Sequence, residues 1–400
     1  MKWNFGDNQL SCVVVSLIIA IPSLAYTFYL PALPGMAKTL GIPPSVAKLS
    51  MTFLMMTAMA SLLVIGPLSD RYGRKPILIT GLFINVVACL ILSQTDSLQI
   101  LLMGKGVQGI GLATCFAVAY PMIRDVLDGP AAMRMMAISA AIYIGATVLG
   151  PTLGAHVYDH FGWSMQFYIE AAYSLILIVL FVPFLPETLS PKNRKEHPTW
   201  IIQYIDLIKE PRNRQLLIQG ATVNGAFAVY MTSSAFLYMH YFGLSTVMFG
   251  YLYGIKCFLQ FIASVVTGKL VEHYPVESMM VFSYRSLIGC SIVLLACVYL
   301  WPESLLAWVI PMSVLLIANG IFSTSNRVAV VYLNADRAGV ANSGQIFLHL
   351  MCDTLGSALV AMFYDSSQNV ATLMAGVLLF SWIISSVLMP LFGRQKAVAK

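Results

Sequence analysis

Lys105, Glu170, Lys256, His349 and Asp353 each lie inside a long apolar run. A charge in hydrocarbon costs roughly 2.5–3.5 kcal/mol even on lenient insertion scales, so each of these groups has to meet a partner, water or a proton. Around Asp353 the polar residues are periodic. Asn342, Gln345, His349 and Asp353 are spaced by 3, 4 and 4, which places them on one face of a helix. A carboxylate one turn from an imidazole has the chemistry of a proton relay. The plainer reading is a hydrogen-bonded seam between helices. Tyr253, Lys256, Gln260, Ser264 and Thr267, spaced 3, 4, 4 and 3, form a second stripe. If the two stripes meet, Lys256 neutralises Asp353. Lys105 has Gln108 one turn on along the same face. Glu170 lies at a similar depth and is the natural partner of Lys105, as a structural pair or as a further proton-coupling acid. Arg285 is near enough to the end of its run to snorkel to the interface.

The elements that must carry these groups are long helices. The 400 residues are 58% hydrophobic and 10% charged, and the mean hydropathy is +0.80. A soluble domain carries about 25% charged residues, so this chain has too little polar surface to face water. Its apolar runs are continuous and helix-length, without the alternating pattern of an outer-membrane barrel. Twelve such segments can be counted, at about 10–32, 47–68, 76–94, 98–120, 133–157, 163–185, 215–239, 245–270, 277–299, 304–326, 338–363 and 369–392. The first is too long for the apolar core of a cleavable signal. The seven cysteines all lie in apolar runs with no C-x-x-C pair, and read as small core residues.

One connection is long, polar and Pro-containing, between Pro186 and Arg214, with an amphipathic piece around Trp200–Lys209. It divides the chain into six spans, 1–190, a linker, 191–214, and six more, 215–400. With the N-terminus inside, eighteen of the 23 Lys and Arg fall on the inner side and only Lys38 and Lys48 on the outer. That bias puts both termini in the cytoplasm. It also gives the formal charge of +6 a topological meaning, with no call for nucleic acid.

Four stretches carry a resemblance. Gly66-Pro-Leu-Ser-Asp70-Arg71-Tyr-Gly73-Arg74-Lys75 resembles the loop 2–3 signature of the major facilitator superfamily, and stands between the second and third spans. Leu101-Leu-Met-Gly-Lys105-Gly-Val-Gln108-Gly109-Ile-Gly111 resembles its fourth-helix motif. Gly150-Pro151-Thr-Leu-Gly154 resembles the fifth-helix antiporter motif of its drug:proton antiporter group. Tyr29-Leu30-Pro31-Ala32-Leu33-Pro34 closes the first span as in Bcr/CflA-type exporters. In the second half, Gly268-Lys-Leu-Val-Glu272 is a worn copy of the loop motif.

The resemblance implies an all-α membrane protein, with twelve transmembrane helices in two six-helix bundles. It implies a cytoplasmic conformational latch built from Gly66, Asp70, Arg71, Gly73 and Arg74, with Arg124 as the expected partner of Asp70. The antiporter motif, Gly150, Pro151 and Gly154, removes side chains for close helix packing, and by resemblance marks proton exchange. Proton coupling is expected at Asp353, His349 and Glu170. The substrate walls are expected at Tyr26, Tyr29, Lys105, Gln108, Thr222, Tyr230, Lys256 and Asn319. Two positions depart from the pattern. Lys105 stands where the family usually has Arg, and Thr27 stands where the related exporters carry an acid.

The expected function is proton-coupled export of small amphipathic compounds of the multidrug type across the inner membrane. Export of a specific metabolite such as a siderophore or amino acid, or proton-coupled uptake, remains an alternative, and so does a sensor or scaffold on the same fold. The expected partners are a small-molecule substrate, protons and the lipid bilayer, with the chain acting as a monomer. No Walker-type loop, metal-ligand cluster or nucleophile elbow occurs in the sequence, so no enzyme, cofactor or metal is expected.

Overall fold

The computed structural model describes residues 5–127, 129–181, 185–189, 200–270, 273–334 and 338–363, together with 376, 379–380 and 383. Among these residues the regular structure is entirely helical. Helix α1 (Phe5–Thr27) passes through a tight turn at Leu30–Ala32 into the short α2 (Leu33–Thr39). Then come α3 (Pro44–Tyr72), α4 (Arg74–Ser93), α5 (Leu98–Val126), α6 (Gly129–Phe161) and α7 (Ser164–Ile176), which runs on in wider-wound turns to Phe181. The amphipathic piece is α8 (Trp200–Lys209). It is followed by α9 (Pro211–Ala235), extended in wider-wound turns to Tyr241, α10 (Thr246–Leu270), α11 (Val276–Leu300), α12 (Leu305–Leu333) and α13 (Ala338–Phe363). These elements cover the first eleven expected spans; the twelfth, 369–392, lies outside the described residues, as does Glu272 of the worn loop motif. Seven of the described helices are long and apolar enough to cross a membrane by length and composition.

Two boundaries differ from the sequence reading for identifiable reasons. The first span stops as a helix at Thr27, because Pro31 and Pro34 each open a new short helical turn, where a missing N–H costs nothing. The polar stretch after Gly66 is not an open loop. Helix α3 continues through Pro67 to Tyr72, with Ser69 Oγ donating to the Gly66 carbonyl at 2.8 Å. A single residue, Gly73 at φ +108°, turns the chain into α4. That backbone conformation is accessible to glycine and strained for a side chain.

The described residues fall into two compact units, one within Met1–Pro198 plus Tyr238–Gly254, the other within Thr199–Leu237 plus Ile255–Lys400. In the first unit α5 packs along α3, α4 and α1, α4 lies on α7, and α1 lies on α6. In the second, α9 packs along α13 and α11 along α12. Small residues set the closest approaches. A Cβ at Gly109 of α5 would overlap Thr57 Oγ1 and the Leu54 carbonyl oxygen of α3. At Gly111 it would lie 2.8 Å from the Gly81 carbonyl oxygen of α4. By contrast, Gly289 of α11 faces open space. Gly109→Ala is therefore expected to destabilise the protein by about 1–3 kcal/mol through overpacking. Gly289→Ala is expected to be neutral or stabilising by up to about 1 kcal/mol through helix propensity. Thermal unfolding of the two variants in detergent checks the difference; equal melting temperatures would refute the packing argument.

Candidate functional site

Two opposite buried charges of the first unit converge on one amide. Lys105 and Gln108 of α5 are fully buried and Glu170 of α7 is 3% exposed. Lys105 Nζ donates to Gln108 Oε1 at 2.9 Å, and Gln108 Nε2 donates to Glu170 Oε1 at 2.8 Å. Only this amide orientation serves both charges, since an ammonium only donates and a carboxylate accepts. The expected Lys105–Glu170 pair therefore exists through Gln108 rather than by direct contact. Lys105 Nζ also lies 3.9 Å from the centroid of the Tyr29 ring and 4.8 Å from that of Phe167. The negative face of an aromatic ring attracts a cation at this range. Tyr29 is held in turn, its hydroxyl 3.2 Å from Ser50 Oγ and 3.3 Å from Met36 Sδ. Cys89 Sγ accepts from Gln108 Nε2 at 3.4 Å, and Asn85 Nδ2 donates to Ser174 Oγ at 2.9 Å beside the same helices. The sequence reading missed Asn85, Cys89, Phe167 and Ser174; the signal that could have found Asn85 is an amide inside an apolar run, whereas the other three are ordinary residues for such a helix.

The loop motif closes on itself. Arg74 Nη1 pairs with Asp70 Oδ1 at 2.6 Å and donates to Ser69 Oγ at 2.7 Å, while its Nε reaches Asp125 Oδ2 at 3.2 Å. The expected partner of Asp70, Arg124, is exposed instead. The turn at Gly73 folds Arg74 back to within one turn of Asp70, which satisfies the acid locally. Two acids unforeseen in the sequence complete the cluster. Asp125 also accepts from Thr188 Oγ1 at 3.1 Å, and Glu187 accepts from the backbone N–H groups of Arg74 at 2.9 Å and Lys75 at 3.2 Å. A carboxylate at a helix N-terminus satisfies orphan donors and opposes the helix dipole favourably. Arg71 is exposed, with its guanidinium 5.3 Å from the Tyr72 ring centroid.

The antiporter motif serves two faces of α6. On one, a Cβ at Gly150 would strike Thr27 Oγ1 and one at Gly154 the Phe28 carbonyl oxygen. Gln166 Nε2 bridges there, donating to the carbonyls of Phe28 at 3.0 Å and Gly154 at 2.7 Å. On the other face, the Pro151 carbonyl and Ala155 leave room only for Gly250, Thr152 Oγ1 donates to the Gly250 carbonyl at 3.1 Å, and His156 Nε2 lies 3.0 Å from the Tyr251 hydroxyl. Thr27, standing in for an acid, turns its hydroxyl to its own helix and donates to the Ser23 carbonyl at 2.8 Å.

In the second unit Lys256 Nζ donates to the Tyr230 hydroxyl at 3.2 Å. The expected Lys256–Asp353 pair is not made: Asp353 Oδ1 is enclosed without a hydrogen-bond partner. His349 Nε2 is enclosed in the same way. Asn319 is buried and accepts from Ser323 Oγ at 3.2 Å, and Thr222 donates to the Ile218 carbonyl at 2.9 Å. Tyr26 is buried in the first unit. A buried amide of α12, Asn326, is a residue the stripes did not include; it accepts from Gln345 Nε2 at 2.7 Å and donates to the Leu216 carbonyl at 3.0 Å. Among the described residues no cluster of three or more His, Cys, Asp or Glu has the arrangement to hold a metal.

Bundles of long apolar helices with charges neutralised in their interior define an integral membrane protein that passes the bilayer many times. The family profile of the Major Facilitator Superfamily matches residues 15–361, and the chain belongs to that family of transporters. Among its relatives, the bicyclomycin resistance protein homolog of Haemophilus influenzae is 22% identical over 337 residues, 83% of each chain. The chloramphenicol resistance protein CraA of Acinetobacter baumannii is 26% identical over 359 residues, covering 86% of this chain and 85% of its own. Among solved structures, the nucleoside transporter NupG aligns with a TM-score of 0.75 at 14% identity, over 95% of this chain and 99% of that one. The human organic anion transporter MFSD10 aligns with a TM-score of 0.67 at 17% identity, over 94% and 99%. The structural likeness establishes the fold: twelve helices in two bundles.

If Gln108 joins two opposite charges, removing one charge should strand the other. Lys105→Met or Glu170→Gln alone is expected to cost about 3–5 kcal/mol, and the double variant less than either single one. A double-mutant cycle on thermal stability in detergent measures this; additive losses would exclude the linkage.

Proposed function

We propose that the chain exports small amphipathic compounds of the multidrug type across the inner membrane in exchange for protons. The observation that carries the exchange is Asp353, an acid in a membrane-spanning helix with one enclosed oxygen and no partner for it. Such a group can take and give up a proton while a cargo moves, and no cation among the described residues ties it down. His349 one turn away is its proposed relay, and Glu170 a second coupling acid tied to the Lys105 charge through Gln108. Tyr26, Tyr29, Lys105, Gln108, Thr222, Tyr230, Lys256 and Asn319 are the proposed substrate-facing set. The antibiotic resistance named for two relatives supports a drug-like cargo. The cation distribution supports cytoplasmic termini, with bundles at 1–190 and 215–400 joined by 191–214. The chain works as a monomer in this reading.

A second reading has one specific observation in its favour. Thr27 is closed onto its own helix where the related exporters place an acid, which fits a narrower cargo, such as a siderophore or amino acid, or uptake by symport. Everted membrane vesicles with an acid interior separate the readings. Accumulation of chloramphenicol or bicyclomycin driven by the pH gradient is expected for the wild type, and Asp353→Asn should lower it at least tenfold at equal expression. Undiminished gradient-driven accumulation in that variant would remove Asp353 from the mechanism.

A further inference from the structure

Three polar atoms on one face of α13 are buried without being satisfied. Gln345 Oε1, His349 Nε2 and Asp353 Oδ1 are all buried atoms lacking a hydrogen-bond partner. They stand at intervals of four residues, so successive groups are separated by about 6 Å along the helix axis. Two hydrogen bonds through one water span roughly 5.5 Å. Buried polar groups in proteins are almost always paired, with ordered water when no protein group is available. Three such atoms at one-turn spacing on one helix are hard to explain by a seam between helices alone. A seam does form at the other end of Gln345, whose Nε2 meets α12, but it supplies no partner to these three atoms.

The surroundings fix this line in place. Gln345 is fixed in orientation because its Nε2 donates to Asn326 Oδ1 at 2.7 Å, and Asn326 is itself tied to the Leu216 carbonyl of α9 at 3.0 Å. That leaves Gln345 Oε1 as the end facing away from the amide pair. Across from His349, α9 carries Gly220. A Cβ at Gly220 would lie 2.9 Å from His349 Nε2 and 2.6 Å from Asn326 Oδ1. Any side chain there would collide with the imidazole and the Asn326 amide, so both are seated against bare backbone. Further along, Gly225 of α9 opposes Cys352, and Gly356 of α13 opposes Gly225 in return. The charged and titratable groups near the line are Arg327 of α12, which acts on His349, and Cys352 beside Asp353. Asp206 and Lys209 of α8 pair with each other at the exposed surface.

We propose that a file of buried water runs along α13 from Asp353 past His349 and Gln345 toward the cytoplasmic end of the helix, and that it is the route by which Asp353 releases its proton. The direction follows from α13 beginning at Ala338, immediately after Arg337 on the side rich in cations. Gly220 and the Asn326–Gln345 amide pair are positioning residues that seat His349 and Gln345 along the file. The proposal rests on the coupling role of Asp353 stated above.

The test uses purified protein in liposomes, with chloramphenicol as the cargo. Two rates are measured for each variant: transport driven by a pH gradient, and cargo exchange at equal pH, which needs no net proton release. For Gln345→Leu, His349→Leu and Gly220→Ala the ratio of driven to exchange rate is expected to fall about tenfold. Imidazole on the cytoplasmic side should restore the ratio in His349→Leu, and His349→Gln should lose less than His349→Leu. Ratios at the wild-type value in Gln345→Leu and His349→Leu would overturn the proposal, whether or not Gly220→Ala folds. An equal fall of both rates would also overturn it, since that is the mark of a merely structural role. If Asp353→Asn retains driven transport, the coupling reading fails; if that variant is blocked while the three others keep their ratio, only the water file fails.

Discussion

A lysine inside a membrane protein needs its charge answered, and Gln108 is how this chain answers it. The amide presents an acceptor to Lys105 and a donor to Glu170, so two opposite charges are linked without touching each other. Much of the first unit is arranged about that link. Helix α5 supplies both the cation and the amide, α7 the acid and the Phe167 ring, and the turn after α1 the Tyr29 ring whose face meets the ammonium. Lysine suits this enclosure. A compact ammonium fits against a ring face and one amide oxygen, whereas the planar guanidinium usual in the family spreads five donors over a fork.

The glycines of α5 and α6 are the complement of this arrangement. They let backbone meet backbone where the polar chain requires the helices to be close. Gly109 seats α5 against α3, and Gly150 and Gly154 seat α6 against the end of α1. The same notch explains the fate of Thr27. Its hydroxyl faces Gly150 and returns to the Ser23 carbonyl, a geometry in which a larger acid would collide with α6.

Much of this was legible beforehand. Continuous apolar runs, a basic bias on one side and glycine spacing are local properties, and they led to the fold and to the residues worth watching. The stripe of Gln345, His349 and Asp353 was visible because helical periodicity is carried by a single segment. What the sequence could not supply was pairing between segments. Gln108 reads as a neighbour of Lys105, yet nothing local says that its other end meets Glu170, 62 positions on. The latch motif points to Arg124 as the partner of Asp70, but the one-residue turn at Gly73 delivers Arg74 first. Lys256 and Asp353 are complementary in sign, yet packing gives the lysine a tyrosine hydroxyl instead.

Glu187 sits in the strap that leaves the first six spans, and its carboxylate finishes the N-terminus of α4 while its neighbour Thr188 binds Asp125. The chain between the halves is therefore anchored for its first few residues. A fluorescent protein, affinity tag or cleavage site placed before Leu189 would compete with a helix cap. The same insertion placed nearer α8 would leave that cap alone. For anyone dividing this transporter into two co-expressed halves, the anchored strap marks where the first fragment has to end: beyond Leu189, with its own cap still attached.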